Sequence, residues 1–130
     1  ISGFIGRPNY MTLKQLEDLQ KSNLVEFGAH TIHHADLKGM KKDSAFKEIE
    51  GSKLALEQIL KTPVLSFAYP WGKFDSATVQ LVSEAGFTTA VSITPGVEVS
   101  DQNRFTLFRL RPGSRTGKKL LDFLQSGGRD

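Results

Sequence analysis

Apolar and polar positions along the chain alternate between two rhythms. From Thr12 to Ser22 the leucines Leu13, Leu16 and Leu19 recur three apart behind Thr12 and Gln15, which are spaced as a capping box; this predicts a helix. Leu24 to Ala29 reads as a short strand ending at the first histidine. Phe46, Ile49, Leu56, Ile59 and Leu60 then share one helical face, so a second helix is expected from Asp43, as its N-cap, to about Lys61. Gly51 inside it costs ~1 kcal/mol relative to alanine. VLSFAY, Val64 to Tyr69, is a second strand stopped by Pro70. Asp75 is placed to cap a helix carrying Val79, Val82 and Ala85, closed by Gly86. Thr88 to Ile93 reads as a third strand before Pro95-Gly96, and Phe105 to Leu110 as a fourth before Pro112-Gly113. A last helix is expected near Lys118 to Gln125, followed by a frayed tail after Gly127-Gly128.

Strand, helix, strand at this spacing predicts parallel βαβ units, an α/β fold. Ligands of such sheets sit at the carboxyl ends of the strands. Three segments fall at that edge: HTIHHADL, YPWGKFD and ITPG. With 130 residues the chain suits one domain.

Composition narrows the chemistry. The chain has no cysteine, which excludes disulfides and thiolate metal sites, so a transition metal must be held by His, Asp or Glu. The net charge of +3 is mild, and basic residues such as Lys38, Lys41, Lys42, Lys118 and Lys119 are scattered as on solvated faces; no nucleic-acid partner is expected. No apolar run approaches ~18 residues, so no membrane span is expected. The chain opens at Ile1 without a methionine, and cutting upstream is the expected reason.

The three histidines are His30, His33 and His34. His30 and His34 are four apart, and in a helical turn that spacing puts both imidazoles on one side, where they can share an ion. Neutral imidazole binds zinc at ~2.0–2.1 Å, and a catalytic zinc has three protein ligands plus a water. His33, next to His34, is expected to point elsewhere. The competing reading is a polar loop whose histidines only form hydrogen bonds. Asp36 is better placed to hold the turn through its backbone than to ligate.

HTIHHADL resembles the second motif of the polysaccharide deacetylases, the NodB-homology or carbohydrate esterase family 4 domain, which reads His-Ser/Thr-x-x-His and is commonly followed by Pro-Asp/Asn-Leu. FAYPWG, Phe67 to Gly72, is similar to the third motif, Arg-x-Pro-Tyr/Trp-Gly: Pro70, Trp71 and Gly72 match, and Ala68 stands where the arginine is usual. The Phe-Ala-Tyr-Pro form resembles the branch that includes poly-N-acetylglucosamine deacetylases. GFTTAVSITPG and the FRLRP segment near Arg109 follow in the family's order.

The resemblance implies a distorted (β/α) barrel and a hydrolase that removes acetyl groups from N-acetylglucosamine polymers or, in some members, acetylated xylan. It implies a divalent metal, zinc first with cobalt or nickel as alternatives, held by two histidines and an aspartate. His30 and His34 match the histidines. The aspartate belongs to a Thr-Phe-Asp-Asp motif that also carries the general base, and no Asp-Asp pair occurs in this chain; no Leu-x-His motif for the acid is visible either. Residues 1–130 are therefore expected to form one incomplete deacetylase domain, a partial barrel lacking N-terminal strands, inactive alone. Its open sheet edges are expected to favour self-association or strand exchange. By resemblance, the Trp71 backbone N–H is the oxyanion donor, Tyr69, Pro70 and Trp71 face the sugar, and Arg109 orients an active-site carboxylate or forms a structural ion pair. The partner is an N-acetylated polysaccharide, and the implied location is extracellular or at a bacterial cell envelope. A non-catalytic glycan-binding or assembly module on the same scaffold is the alternative. A different metal amidohydrolase would need further histidines, and the chain has none.

Overall fold

A computed structural model describes residues 1–128; the tail expected to fray beyond Gly128 lies outside them. Its elements are α1 (Leu13–Lys21), α2 (Lys42–Leu60), β1 (Ser66–Ala68), α3 (Ser76–Glu84), β2 (Thr89–Val91) and α4 (Gly117–Gln125), with single 3-10 turns at Ser2–Phe4 and Pro70–Gly72. β1 and β2 pair in parallel, with Phe67 opposite Ala90. Ala29 extends the ladder on one side through a parallel bridge to Phe67, and Leu107 extends it on the other through a bridge to Val91. The spatial order Ala29, β1, β2, Leu107 follows the chain order, and all four run parallel, as in a sector of a (β/α) barrel.

Two expected strands thus shrink to one bridge each. In Leu24 to Ala29 only Ala29 is tied to β1: its N–H donates to the Ser66 carbonyl and its carbonyl accepts from Ala68 N–H, both at 2.9 Å. Leu24 itself is 88% exposed. In Phe105 to Leu110, the Leu107 N–H donates to Ala90 and the Leu107 carbonyl accepts from Ser92, both at 2.9 Å. Apolar, β-favouring residues make a strand possible, but only partners on both sides make it long.

The helices follow their caps and stripes with two corrections. Thr12 and Gln15 form the capping box of α1, yet of its three leucines only Leu16 is buried; Leu13 and Leu19 stay exposed. α2 begins two residues early, with Lys41 as N-cap and Asp43 in the first turn, where its charge meets the positive end of the helix dipole. Ile49, Leu56 and Leu60 of the α2 stripe are buried, and Phe46 and Ile59 pack against the same core. Lys53 and Glu57 of α2 then fix the link to β1: the Lys53 ammonium donates to the Val64 carbonyl (2.6 Å) and the Glu57 carboxylate accepts from the Val64 N–H (2.9 Å). Asp75 caps α3 in a capping box with Thr78, and Gly86 follows its end at φ 81, a left-handed position. Phe67 sits at the centre of this core, 1% exposed, with Phe87 and Tyr69 ring contacts at 5.2 and 5.4 Å.

Candidate functional site

The three segments expected at the carboxyl edge of the sheet meet there. Residues 30–37 leave the Ala29 bridge, the Pro70–Gly72 turn leaves β1, and residues 92–96 leave β2. The His34 ring packs edge-on against Trp71 with centroids 4.2 Å apart. Two further ties join the first two loops: Lys73 pairs with Asp36 at 2.6 Å, and the second Asp75 oxygen accepts from the Gly39 N–H at 3.1 Å.

His30 and His34 do converge, their ring centroids 4.8 Å apart and their planes at 68°. The cause is not a helical turn. Residues 30–37 contain no helix; instead Thr31 (φ 65) and His34 (φ 60) adopt left-handed backbone. For a β-branched, fully buried threonine this is an unusual conformation, and such strain is held where surrounding bonds over-determine it. Here the Thr31 hydroxyl accepts from the Ala35 N–H at 3.2 Å, and the Thr31 and Ile32 carbonyls accept from the N–H groups of Ser2 and Gly3.

His30 is oriented by a 2.6 Å contact from Nδ1 to the Ala68 carbonyl. A carbonyl can only accept, so Nδ1 carries the proton and the neutral ring keeps its lone pair on Nε2. Burial holds the His30 pKa below its ordinary value, with the His34 and Arg109 charges adding to that and the Ala68 carbonyl opposing it. The free unfolded ring takes up its proton at a higher pH, so this contribution to stability is complete above about pH 6.5 and is lost as pH falls through the lower folded value. An NMR titration of the His30 ring should give a midpoint below ~6.5; a midpoint above it would contradict the burial described here.

His33 turns away from the pair. Its Nδ1 contacts the Glu48 carboxylate at 2.7 Å, and the other Glu48 oxygen accepts from the N–H groups of both Ile32 and His33 at 3.0 Å. Burial alone would raise the Glu48 pKa, but the His33 ring and the two amides outweigh it and hold the carboxyl below its usual range. No motif marked Glu48. The available signal was its position: three residues after buried Ala45 and four before buried Ser52, on the inner face of α2. Gly51, a weak point by propensity, also has a reason: a Cβ there would lie 2.6 Å from the Ile32 Cδ1.

The aromatic turn divides into an inner and an outer part. Trp71 is 53% exposed, at φ 53. Gly72 and Lys73 N–H close the turn onto the Tyr69 and Pro70 carbonyls, while the Trp71 N–H has no protein acceptor among the described residues. Tyr69 and Pro70, expected to face the sugar, are instead buried. The Tyr69 hydroxyl donates to the Phe105 carbonyl at 2.9 Å and is pushed above its usual range by burial. Alternation along β1 explains this: Phe67 and Tyr69 point to the same core face. Gly72 is demanded by the third loop. At φ 67 a Cβ there would run into the Ile93 side chain. Gly72→Ala should cost about 2–4 kcal/mol, from left-handed backbone plus overpacking, read as a lowered denaturant midpoint; an unchanged midpoint would show that the turn does not need glycine.

Arg109 lies near enough to depress the His30 pKa, but its side chain is exposed and no carboxylate of the described residues pairs with it. Its backbone N–H donates to the Thr94 carbonyl at 2.9 Å. Asp36 accepts from the Lys38 N–H at 3.2 Å and from Lys73, a turn-holding arrangement, and Lys73 keeps its pKa low.

The pair has the spacing of two ligands of one divalent ion. Two imidazoles on one tetrahedral zinc have centroids about 5 Å apart, close to the 4.8 Å seen. Among the described residues no group of three His, Cys, Asp or Glu side chains could hold a metal. No helix among them is long and apolar enough to cross a membrane.

Comparison with known proteins points one way. Residues 4–90 match the family model described as polysaccharide deacetylase. The chain is 24% identical to YxkH of Bacillus subtilis (strain 168) over 107 residues, covering 82% of this chain and 38% of that protein. Among solved structures it is similar to the Streptococcus pyogenes deacetylase PplD in complex with acetate, at 27% identity and a TM-score of 0.79, covering 84% of this chain and 49% of PplD. It shares the fold of BC0361, a polysaccharide deacetylase from Bacillus cereus, at 22% identity and a TM-score of 0.84, covering 97% of this chain and 39% of that one. The chain therefore spans less than half the length of each of these three proteins.

Proposed function

From the chain's membership of the polysaccharide deacetylase family, we propose that it forms the histidine side of a metal-dependent site that hydrolyses acetamido groups on N-acetylglucosamine polymers at a bacterial cell envelope. The observation that carries this reading is the His30–His34 pair beside Trp71. His30 would offer Nε2, because Nδ1 is committed to Ala68, and His34 would offer the second imidazole. The third ligand, a carboxylate, and the general base would come from outside the described residues. Bound there, a divalent ion polarises a carbonyl and lowers the pKa of water to ~7.

The chain's own contribution is placement. An acetamide carbonyl between the histidines and the Trp71 turn would meet the free Trp71 N–H, a donor fixed in advance for charge that develops as the carbonyl becomes tetrahedral. The exposed indole offers a flat face to a sugar ring. Tyr69 and Pro70 support that face from below and do not touch the sugar. Zinc is the first candidate, and two imidazoles with a carboxylate also suit cobalt or nickel.

Acetate release from chitin oligomers by the protein isolated from its natural source is expected, lost on chelation and restored by zinc. Oligomer binding without acetate release would instead favour the glycan-holding module. The 130-residue chain alone is expected to release no acetate.

A further inference from the structure

The loop that bears the histidine pair is strained at two positions, so something must hold it. The bonds converge on one side chain. Glu48 lies on α2, fourteen to eighteen residues beyond the pair, and its hydrogen bonds go to Ile32 and His33, not to His30 or His34. One of its oxygens takes the N–H groups of Ile32 and His33, both at 3.0 Å, and the other takes the His33 ring at 2.7 Å. These amides lie between Thr31 and His34, the two left-handed residues. One helical turn further along α2, Gly51 leaves the space that the Ile32 side chain enters. The helix thus grips the loop by charge at Glu48 and by shape at Gly51.

We infer that Glu48 is a positioning residue for the metal-binding pair: its carboxylate fixes the backbone of Ile32 and His33 so that His30 and His34 face one ion. The inference rests on the metal-site reading above. An ionised carboxylate suits this task because two amide donors and an imidazole N–H all need acceptors, and the anion has about four lone-pair sites and no proton to place. Glutamine keeps the size but turns one acceptor into a donor. Outer partners that orient metal ligands typically govern 10–100-fold in affinity.

The test is zinc titration of the 130-residue chain at pH 7.5, as wild type and as His30→Ala, Glu48→Gln and Glu50→Gln, with thermal melting of each zinc-free protein alongside. Glu50 lies on the same helix and serves as the control for lost charge. Expected are zinc uptake by the wild type, its loss in H30A, at least a 10-fold weakening in E48Q and no change in E50Q. The zinc-free E48Q should melt within a few degrees of wild type, which separates positioning from general loss of fold. Should E48Q not fold, Glu48→Asp replaces it; its shorter carboxylate cannot span both amides and the ring, and the same weakening is expected. Wild-type zinc binding with E48Q or E48D within twofold of it would overturn the inference and leave the metal site standing. No zinc uptake by wild type would overturn this inference, while the metal-site reading, whose third ligand lies outside the described residues, is judged separately by chelation of the acetate-releasing protein.

Discussion

Replacing His30 or His34 by alanine is expected to abolish zinc uptake, while His33→Ala leaves it within about threefold of wild type. The asymmetry follows from where the rings go. His30 and His34 lie edge to face with centroids 4.8 Å apart, and with one of two imidazoles gone a single donor remains. Because the loss of an outer partner alone typically costs 10–100-fold, loss of a direct ligand should exceed about 100-fold. His33 points at Glu48, so its removal deletes one of three bonds to that carboxylate and leaves the two amide bonds in place. Calorimetric or cobalt-absorption titration of the three variants reads the difference directly. Equal weakening in all three would show that the loop, and not the pair, is what the metal senses.

Phe67→Ala should remove about 3–5 kcal/mol of stability, as full truncation of a buried phenylalanine does. A domain has only about 5–15 kcal/mol to lose, so the variant should sit close to unfolding at ambient temperature. Phe67 is 1% exposed, packs on Phe87 and Tyr69, and lies in a short strand paired on both sides, to Ala29 and to Ala90. The effect should reach the site. The next residue, Ala68, supplies the carbonyl that sets the His30 tautomer, so any zinc binding that survives in the folded fraction should be weaker than wild type. Urea unfolding of both proteins checks the first claim; a loss below about 1 kcal/mol would mean the cavity collapses and the core is not centred where it is drawn.

The residues that advertise themselves in the sequence do so through local rules. Thr12 with Gln15, and Asp75, are caps because a short polar side chain can reach an unpaired N–H three residues on, whatever the rest of the chain does. The α2 stripe is visible because apolar residues three, four or seven apart share one helical face. The His-x-x-x-His and Pro-Trp-Gly motifs announce a site for the same reason: both are compact in sequence. Harder to read were statements about partners. Leu13 and Leu19 look like Leu16 in the sequence, yet only Leu16 meets the core. Tyr69 belongs to a motif associated with substrate, yet strand alternation turns it inward to the Phe105 carbonyl.

What the sequence determined by itself, then, was the order of elements, the family and the histidine pair proposed as the metal site, because each rests on residues close along the chain. Tertiary structure decided how that pair converges, through left-handed Thr31 and His34 rather than a helical turn. It also decided that Glu48 holds the loop, that Gly72 yields to Ile93, and that Trp71 alone of its motif stays exposed. Each of those depends on a residue brought from a distant segment, and no local spacing encodes where such a residue will land.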